Sequence, residues 1–152
     1  MTAALAKHTT RLALVCAAMF AAVPIYGAVV QLVPPPDPAP IAQGSTLLWL
    51  FAVLAAFNLV TLMPGYRAML AGPLRIFAVG RELQPLLTAH LTATIVVFAR
   101  LETVAVLGVL LYFLTGRRDW FWGFAGVALI GMLALWPSAA RVKEHLALGP
   151  AA

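Results

Sequence analysis

The feature that most restricts the fold of this chain is a long apolar segment at residues 96–116, VVFARLETVAVLGVLLYFLTG. It is long enough to cross the hydrocarbon core of a bilayer as a helix, which requires about 20 mainly apolar residues. A chain in hydrocarbon has to satisfy its backbone hydrogen bonds within the segment, so a helix is expected. Because the hydrophobic fraction of the whole chain is 63%, far above that of soluble proteins, the sequence predicts an integral membrane protein.

Residues that membrane helices avoid divide the chain into apolar segments. Residues 34–40, PPPDPAP, cannot form a helix, and Pro64 is expected to end the second apolar segment. Residues 64–85 mix arginines with apolar side chains and are interrupted by Gly72 and Pro73, which favours short amphipathic pieces lying in the membrane interface. We predict an all-α integral membrane protein with one domain over residues 1–152, four transmembrane helices at 12–33, 46–63, 88–115 and 120–136, and an interfacial segment at 64–85.

The positive charges predict the orientation of these helices. Arg117 and Arg118, partly offset by Asp119, fall on one side of the membrane. The other side receives Lys7, Arg11, Arg67, Arg75, Arg81, Arg141 and Lys143. Because cytoplasmic loops carry the excess of Lys and Arg, both termini are predicted to be cytoplasmic.

The composition also bears on location and partners. Few lysines and abundant Ala, Arg and Pro indicate a bacterial protein, and hence a multi-pass protein of the bacterial inner membrane. The net charge of +5 is accounted for by topology, and no nucleic-acid-binding motif accompanies it, so the lipid bilayer is the expected surrounding and nucleic acid is not an expected partner.

Arg100 and Glu102 are the charged residues inside the third apolar segment. On a helix they are about 200° apart, so they cannot pair with each other and each needs its own partner. We place the bilayer at residues 96–115 rather than 86–110, because the excluded residues are rich in threonine. Arg100 then lies about 6 Å inside the cytoplasmic boundary and can extend its side chain back to it.

Asn58 is the polar residue of the second segment that lies at a similar depth. Both Asn58 and Glu102 are about 9 Å inside the same boundary. We therefore hypothesise a buried polar cluster of Asn58, Arg100 and Glu102. An ionisable residue in a membrane is a candidate functional site, and the alternative is an interhelical contact that only fixes packing. Both interpretations stay open for Glu102, whereas the structural one is favoured for Arg100.

Other kinds of site are not indicated. A single cysteine, Cys16, excludes an internal disulfide and a cysteine-based metal site. His8, His90 and His145 lack the spacing expected for haem or zinc ligands, and no catalytic triad can be proposed. We therefore expect no metal, no cofactor and no enzymatic activity.

The residues ETVAVLGVLLYFLTG, 102–116, combine a membrane glutamate with the small residues Ala105 and Gly108 and then bulky apolar ones. This stretch resembles the carboxylate-bearing helix of rotary ATPase proteolipids, the ring subunits that carry protons or sodium ions. The resemblance implies that Glu102 carries a proton or an ion. The layout of the predicted spans resembles small bacterial four-helix inner-membrane proteins of unknown function, which implies the architecture alone.

Two functions are therefore expected. The first is a subunit or accessory of a membrane assembly, in contact with other membrane subunits or with further copies of the same chain. The alternative is a proton- or ion-translocating element in which Glu102 carries the proton and Arg100 tunes it.

Overall fold

A computed structural model describes residues 2–34, 44–80 and 83–138 of the chain, and these ranges contain only helices and short connections. The helices are α1 (Thr2–Leu32), α2 (Gly44–Val60), α3 (Leu62–Gly80), α4 (Leu83–Thr115) and α5 (Arg118–Ala134). The described residues leave out most of the proline-rich connection, Arg81, and the basic tail with Arg141 and Lys143. All of these entered the prediction of orientation.

Three helices are long and apolar enough to cross a membrane, which agrees with the predicted membrane protein. They are Ala6–Leu32, the combined α2 and α3 from Ser45 to Gly80, and Leu83–Thr115. With 17 residues, α5 is shorter than these three, although its length of about 26 Å approaches the thickness of a hydrocarbon core.

Helix α4 is the centre of the molecule, because each of the other four helices packs against it. Its buried residues include Phe98, Leu101, Leu111 and Tyr112, none more than 1% exposed. Helix α1 also packs against α5, and α2 packs against α3, but α1 and α2 form no extensive interface with each other.

Contacts at both ends show that α1 and α4 run parallel. The rings of His8 and His90 lie 5.5 Å apart near the two N-termini, and the Tyr112 hydroxyl donates to the Val33 carbonyl oxygen at 2.7 Å near the other end. Helix α5 runs back along α4 after a turn at Gly116, whose φ of 73° favours glycine.

The end of α5 divides the bundle into two levels. Trp136, just beyond α5, packs edge-on against Phe98 of α4 and Phe20 of α1. At residues 98–115, α4 therefore packs against α1, α2 and α5, and we call this level the four-helix part. It is about 26 Å thick, close to a hydrocarbon core of about 30 Å. The starts of α1 and α4 together with α3 make up the remaining level, the three-helix part.

The segment predicted to lie in short interfacial pieces is instead one helix. Helix α3 continues through Gly72 and Pro73 to Gly80, so the predicted break at these residues does not occur. An internal proline removes one backbone donor, but flanking turns and neighbouring helices can keep the helix intact. Pro64 lies in the first turn of α3, where a backbone N–H has no partner within the helix and is not needed. Helices α2 and α3 therefore meet at Thr61 and not at the prolines, and hydrogen bonds of helical spacing continue across the junction, from the Thr61 N–H to the Phe57 carbonyl oxygen and from the Gly65 N–H to the Thr61 carbonyl oxygen, both at 3.1 Å.

Candidate functional site

The Arg100 side chain binds the end of α2. Its Nε donates to the Asn58 side-chain oxygen Oδ1 at 2.6 Å, and its Nη2 donates to the Asn58 carbonyl oxygen at 2.7 Å. Its Nη1 donates to the Thr61 carbonyl oxygen at 3.1 Å, and Nη2 also contacts the Thr61 hydroxyl. In return, Asn58 Nδ2 donates to the Arg100 carbonyl oxygen at 2.8 Å. The guanidinium therefore has acceptors from both side chain and backbone.

The position of this contact follows from how α2 ends. The last carbonyl groups of a helix lack donors within the helix and carry partial negative charge. Arg100 supplies a fixed fork of donors to the Asn58 carbonyl oxygen in the last turn of α2 and to the Thr61 carbonyl oxygen just beyond it. The Thr61 carbonyl oxygen also accepts from the Gly65 N–H at 3.1 Å. The contact joins the C-terminus of α2, where it meets α3, to the middle of α4. Arg100 is therefore accounted for as a residue that holds helices together.

Glu102 has a different neighbour. The Tyr26 hydroxyl on α1 donates to Glu102 Oε1 at 2.5 Å, and both side chains are half-buried. The tyrosine reaches this level because side chains on a helix lean towards its N-terminus. Within the described ranges the structure has a single ion pair, Arg117–Asp119, so Glu102 forms none with a cation there.

The structure brings two of the three predicted residues together. Asn58 and Arg100 are hydrogen-bonded on one flank of α4, whereas Glu102 faces Tyr26 on another flank. The separation agrees with the angle of about 200° between Arg100 and Glu102 on the helix. Sequence reasoning missed Tyr26, although its hydroxyl in an apolar span could have indicated it, because a buried tyrosine hydroxyl usually has a hydrogen-bond partner.

An uncovered stripe runs along α4 between these two flanks. It consists of Thr92, Val96, Ala99, Thr103, Val106, Leu110 and Leu114, which are all exposed. Their spacing of three and four residues places them on one face of the helix. Arg100 and Glu102 border this face on opposite sides, about 80° from its centre. The stripe is therefore an uncovered face of α4 between α1 and α2, which we call the cleft, and the side chains at its middle, Ala99 and Thr103, are small.

The chemistry available at Glu102 is proton exchange or acceptance of a hydrogen bond. Its carboxyl group accepts one hydrogen bond from the Tyr26 phenol and has further acceptor sites on its two oxygens. The described residues contain no group of three His, Cys, Asp or Glu side chains that could hold a metal ion.

Beyond the apolar helices, Arg117 and Asp119 form an exposed pair at the turn between α4 and α5. Arg117 Nη2 donates to Asp119 Oδ2 at 2.6 Å, and this hydrogen bond lowers the pKa of Asp119. Arg117 also lies over the ring of Trp120, 4.7 Å from its centroid. The positive charge at this turn is thus partly neutralised locally.

Comparisons with protein-family models, with curated proteins and with solved structures find no match to this chain.

Proposed function

We propose that the four-helix part crosses the bacterial inner membrane as four spans, with both termini cytoplasmic. Helices α1, α2, α4 and α5 then provide the spans, and the three-helix part extends to the cytoplasmic side. The grouping of positive charge supports this orientation. Lys7, Arg11, Arg67 and Arg75 belong to the three-helix part, whereas Arg117 at the opposite end is paired with an acidic residue.

In this membrane the chain acts as a subunit or accessory of a larger assembly. The observation that carries this proposal is the uncovered stripe on α4, the helix that otherwise forms the centre of the bundle. Two half-buried charged side chains, Arg100 and Glu102, border the stripe. Polar groups at the edge of hydrocarbon are costly, and a helix from a partner subunit seated in the cleft would remove them from lipid. Small floor residues such as Ala99 allow a helix to approach closely.

The test fills the cleft. Ala99→Trp places a large side chain on its floor, and Ala21→Trp is the control because Ala21 is exposed on α1 about 140° around that helix from Tyr26. The size of the complex in mild detergent is measured by native electrophoresis and copurification. Loss of the larger species in Ala99→Trp but not in Ala21→Trp is expected. Retention in both variants, or equal loss in both, contradicts docking in the cleft.

A second function, proton or ion translocation through Glu102, is favoured by a separate observation. The carboxyl group of Glu102 accepts a hydrogen bond from a neutral tyrosine, and Arg100 is engaged with α2 instead. A membrane carboxyl without a bound cation can take up and release a proton without breaking an ion pair.

Flux in vesicles distinguishes the two functions. Glu102→Gln keeps the shape of the side chain and removes its ionisation, so translocation predicts loss of proton or ion flux while the assembly stays intact. Tyr26→Phe should reduce flux as well, whereas Tyr112→Phe, which removes a hydroxyl bound to a backbone carbonyl, should not. Carbodiimide labelling of Glu102 should fall as the pH rises. Unchanged flux in Glu102→Gln rules out this function, and failure of that variant to assemble assigns Glu102 to packing.

A further inference from the structure

A cavity with a basic rim lies in the three-helix part between α1 and α4, and its nearest lining residue, Leu91, is about 17 Å along α4 from Glu102. The volume of the cavity is about 250 Å³, and its lining comes from the first three turns of α1 and α4. The lining residues are Lys7, His8, Arg11, Gln84, Leu87, Thr88 and Leu91. Neither flank residue, Arg100 or Glu102, contributes to it, so neither proposed function accounts for this cavity.

The charged side chains of the cavity are suited to an anion. Lys7 and Arg11 are four residues apart on α1 and therefore project from the same face. Neither has an ion pair within the ranges that the structure describes. The cavity thus holds two positive charges beside the polar side chains of Gln84 and Thr88. The Thr88 hydroxyl donates to the Gln84 carbonyl oxygen at 3.0 Å, which leaves the Gln84 side-chain amide as a polar donor.

The rest of the lining indicates an amphiphilic anion. Leu87 is 6% exposed and, with Leu91, gives the cavity an apolar side next to its basic rim. If the bilayer covers residues 96–115, Leu91 lies about 7 Å and Gln84 about 18 Å outside the hydrocarbon, so the end of the cavity at Leu91 reaches the lipid headgroup layer. Basic cavities between helices on the cytoplasmic side are typical sites for anionic headgroups.

We propose that Lys7 and Arg11, with Gln84, bind a phosphate group in this cavity, and that its source is the headgroup of an anionic lipid. The volume is equivalent to about eight water molecules, which accommodates a phosphate and a glycerol unit. The acyl chains then lie outside, along the apolar surface of the bundle. Binding at this place would fix the depth of the three-helix part at the cytoplasmic surface.

Lipid retention by the full chain tests the proposal. The purified protein is exchanged into detergent containing either phosphatidylglycerol or phosphatidylcholine, and bound lipid is counted by native mass spectrometry. Lys7→Gln combined with Arg11→Gln should weaken retention of phosphatidylglycerol about 30-fold, because each basic residue near an anionic surface contributes about a fivefold attraction. The exchange variant, Lys7→Arg with Arg11→Lys, keeps both charges and should retain the lipid.

The matched control is Arg67→Gln combined with Arg75→Gln, since both arginines are exposed on α3 in the same part of the molecule. This pair removes the same charge and should leave specific retention unchanged. Equal losses in the two double variants would mean general attraction to anionic lipid and would overturn the proposal. Equal retention of phosphatidylcholine would also overturn it. If millimolar inorganic phosphate displaced the bound lipid and the protein retained phosphatidylglycerol no better than phosphatidylcholine, the cavity would be a site for free phosphate. That result would refute the lipid as the source of the phosphate group.

Discussion

The contact between Asn58 and Arg100 gives a quantitative test of how α2 is held to the bundle. Asn58→Leu removes two hydrogen bonds, one to Arg100 Nε and one to the Arg100 carbonyl oxygen. Hydrogen bonds between membrane helices contribute about 0.6 kcal/mol on average and up to about 1.7 kcal/mol. Asn58→Leu should therefore lower the free energy of unfolding by about 1.2 kcal/mol, taking the average for each bond. Arg100→Met removes the four bonds of the guanidinium and should lower it by about 2.4 kcal/mol.

The double variant isolates one of these bonds. Only the bond from Arg100 Nε to Asn58 Oδ1 joins the two side chains, since the other bonds use a backbone atom or Thr61. The loss in the double variant should therefore be smaller than the sum of the single losses by about 0.6 to 1.7 kcal/mol. The expected coupling lies towards the upper figure because the donor is charged.

Reversible unfolding in mild detergent titrated with dodecyl sulfate, followed by tryptophan fluorescence, measures these free energies. Thr103→Val is the matched control, because the Thr103 hydroxyl donates to the Ala99 carbonyl oxygen of its own helix. Its combination with Asn58→Leu should be additive. A coupling of less than about 0.3 kcal/mol between Asn58 and Arg100, within the scatter of independent sites, would refute the direct bond and the role assigned to Arg100.

Two further predictions use the same titration. A Cβ at Gly108 would lie 2.8 Å from the Cβ of Phe124, so Gly108→Ala should lower the free energy of unfolding by about 1–3 kcal/mol. At Gly126 an added Cβ meets nothing within 4 Å, so Gly126→Ala should leave the free energy of unfolding unchanged or raise it by up to about 1 kcal/mol. An equal loss of stability in Gly108→Ala and Gly126→Ala would contradict close packing of α4 on α5. Tyr112→Phe removes the hydrogen bond to the Val33 carbonyl oxygen and should lower the free energy of unfolding by about 0.5–1.5 kcal/mol. An unchanged free energy of unfolding would show that this bond does not hold the end of α1.

The neighbours of Asn58, Arg100 and Glu102 were only partly predictable from the sequence. Counting helical residues from the boundary placed Asn58, Arg100 and Glu102 at similar depths. Depth matched Asn58 most closely to Glu102, whereas the structure joins Asn58 to Arg100. Tyr26 could not be matched to Glu102 in this way, since depth does not say which helix lies on which flank of α4. The uncovered stripe on α4 depends on the same arrangement. It exists because α1 and α2 pack on different flanks of α4 without closing over it.

The amino-acid sequence by itself determined the apolar helices and the separation of Arg100 from Glu102. Both depend on local properties: hydropathy makes long apolar segments helical, and the helical repeat sets the angle between side chains. Tertiary structure alone decided that α4 is central, that α3 continues through Pro73, and that Glu102 faces Tyr26. These outcomes depend on which helix surfaces meet, and that is set by packing between segments far apart in the chain.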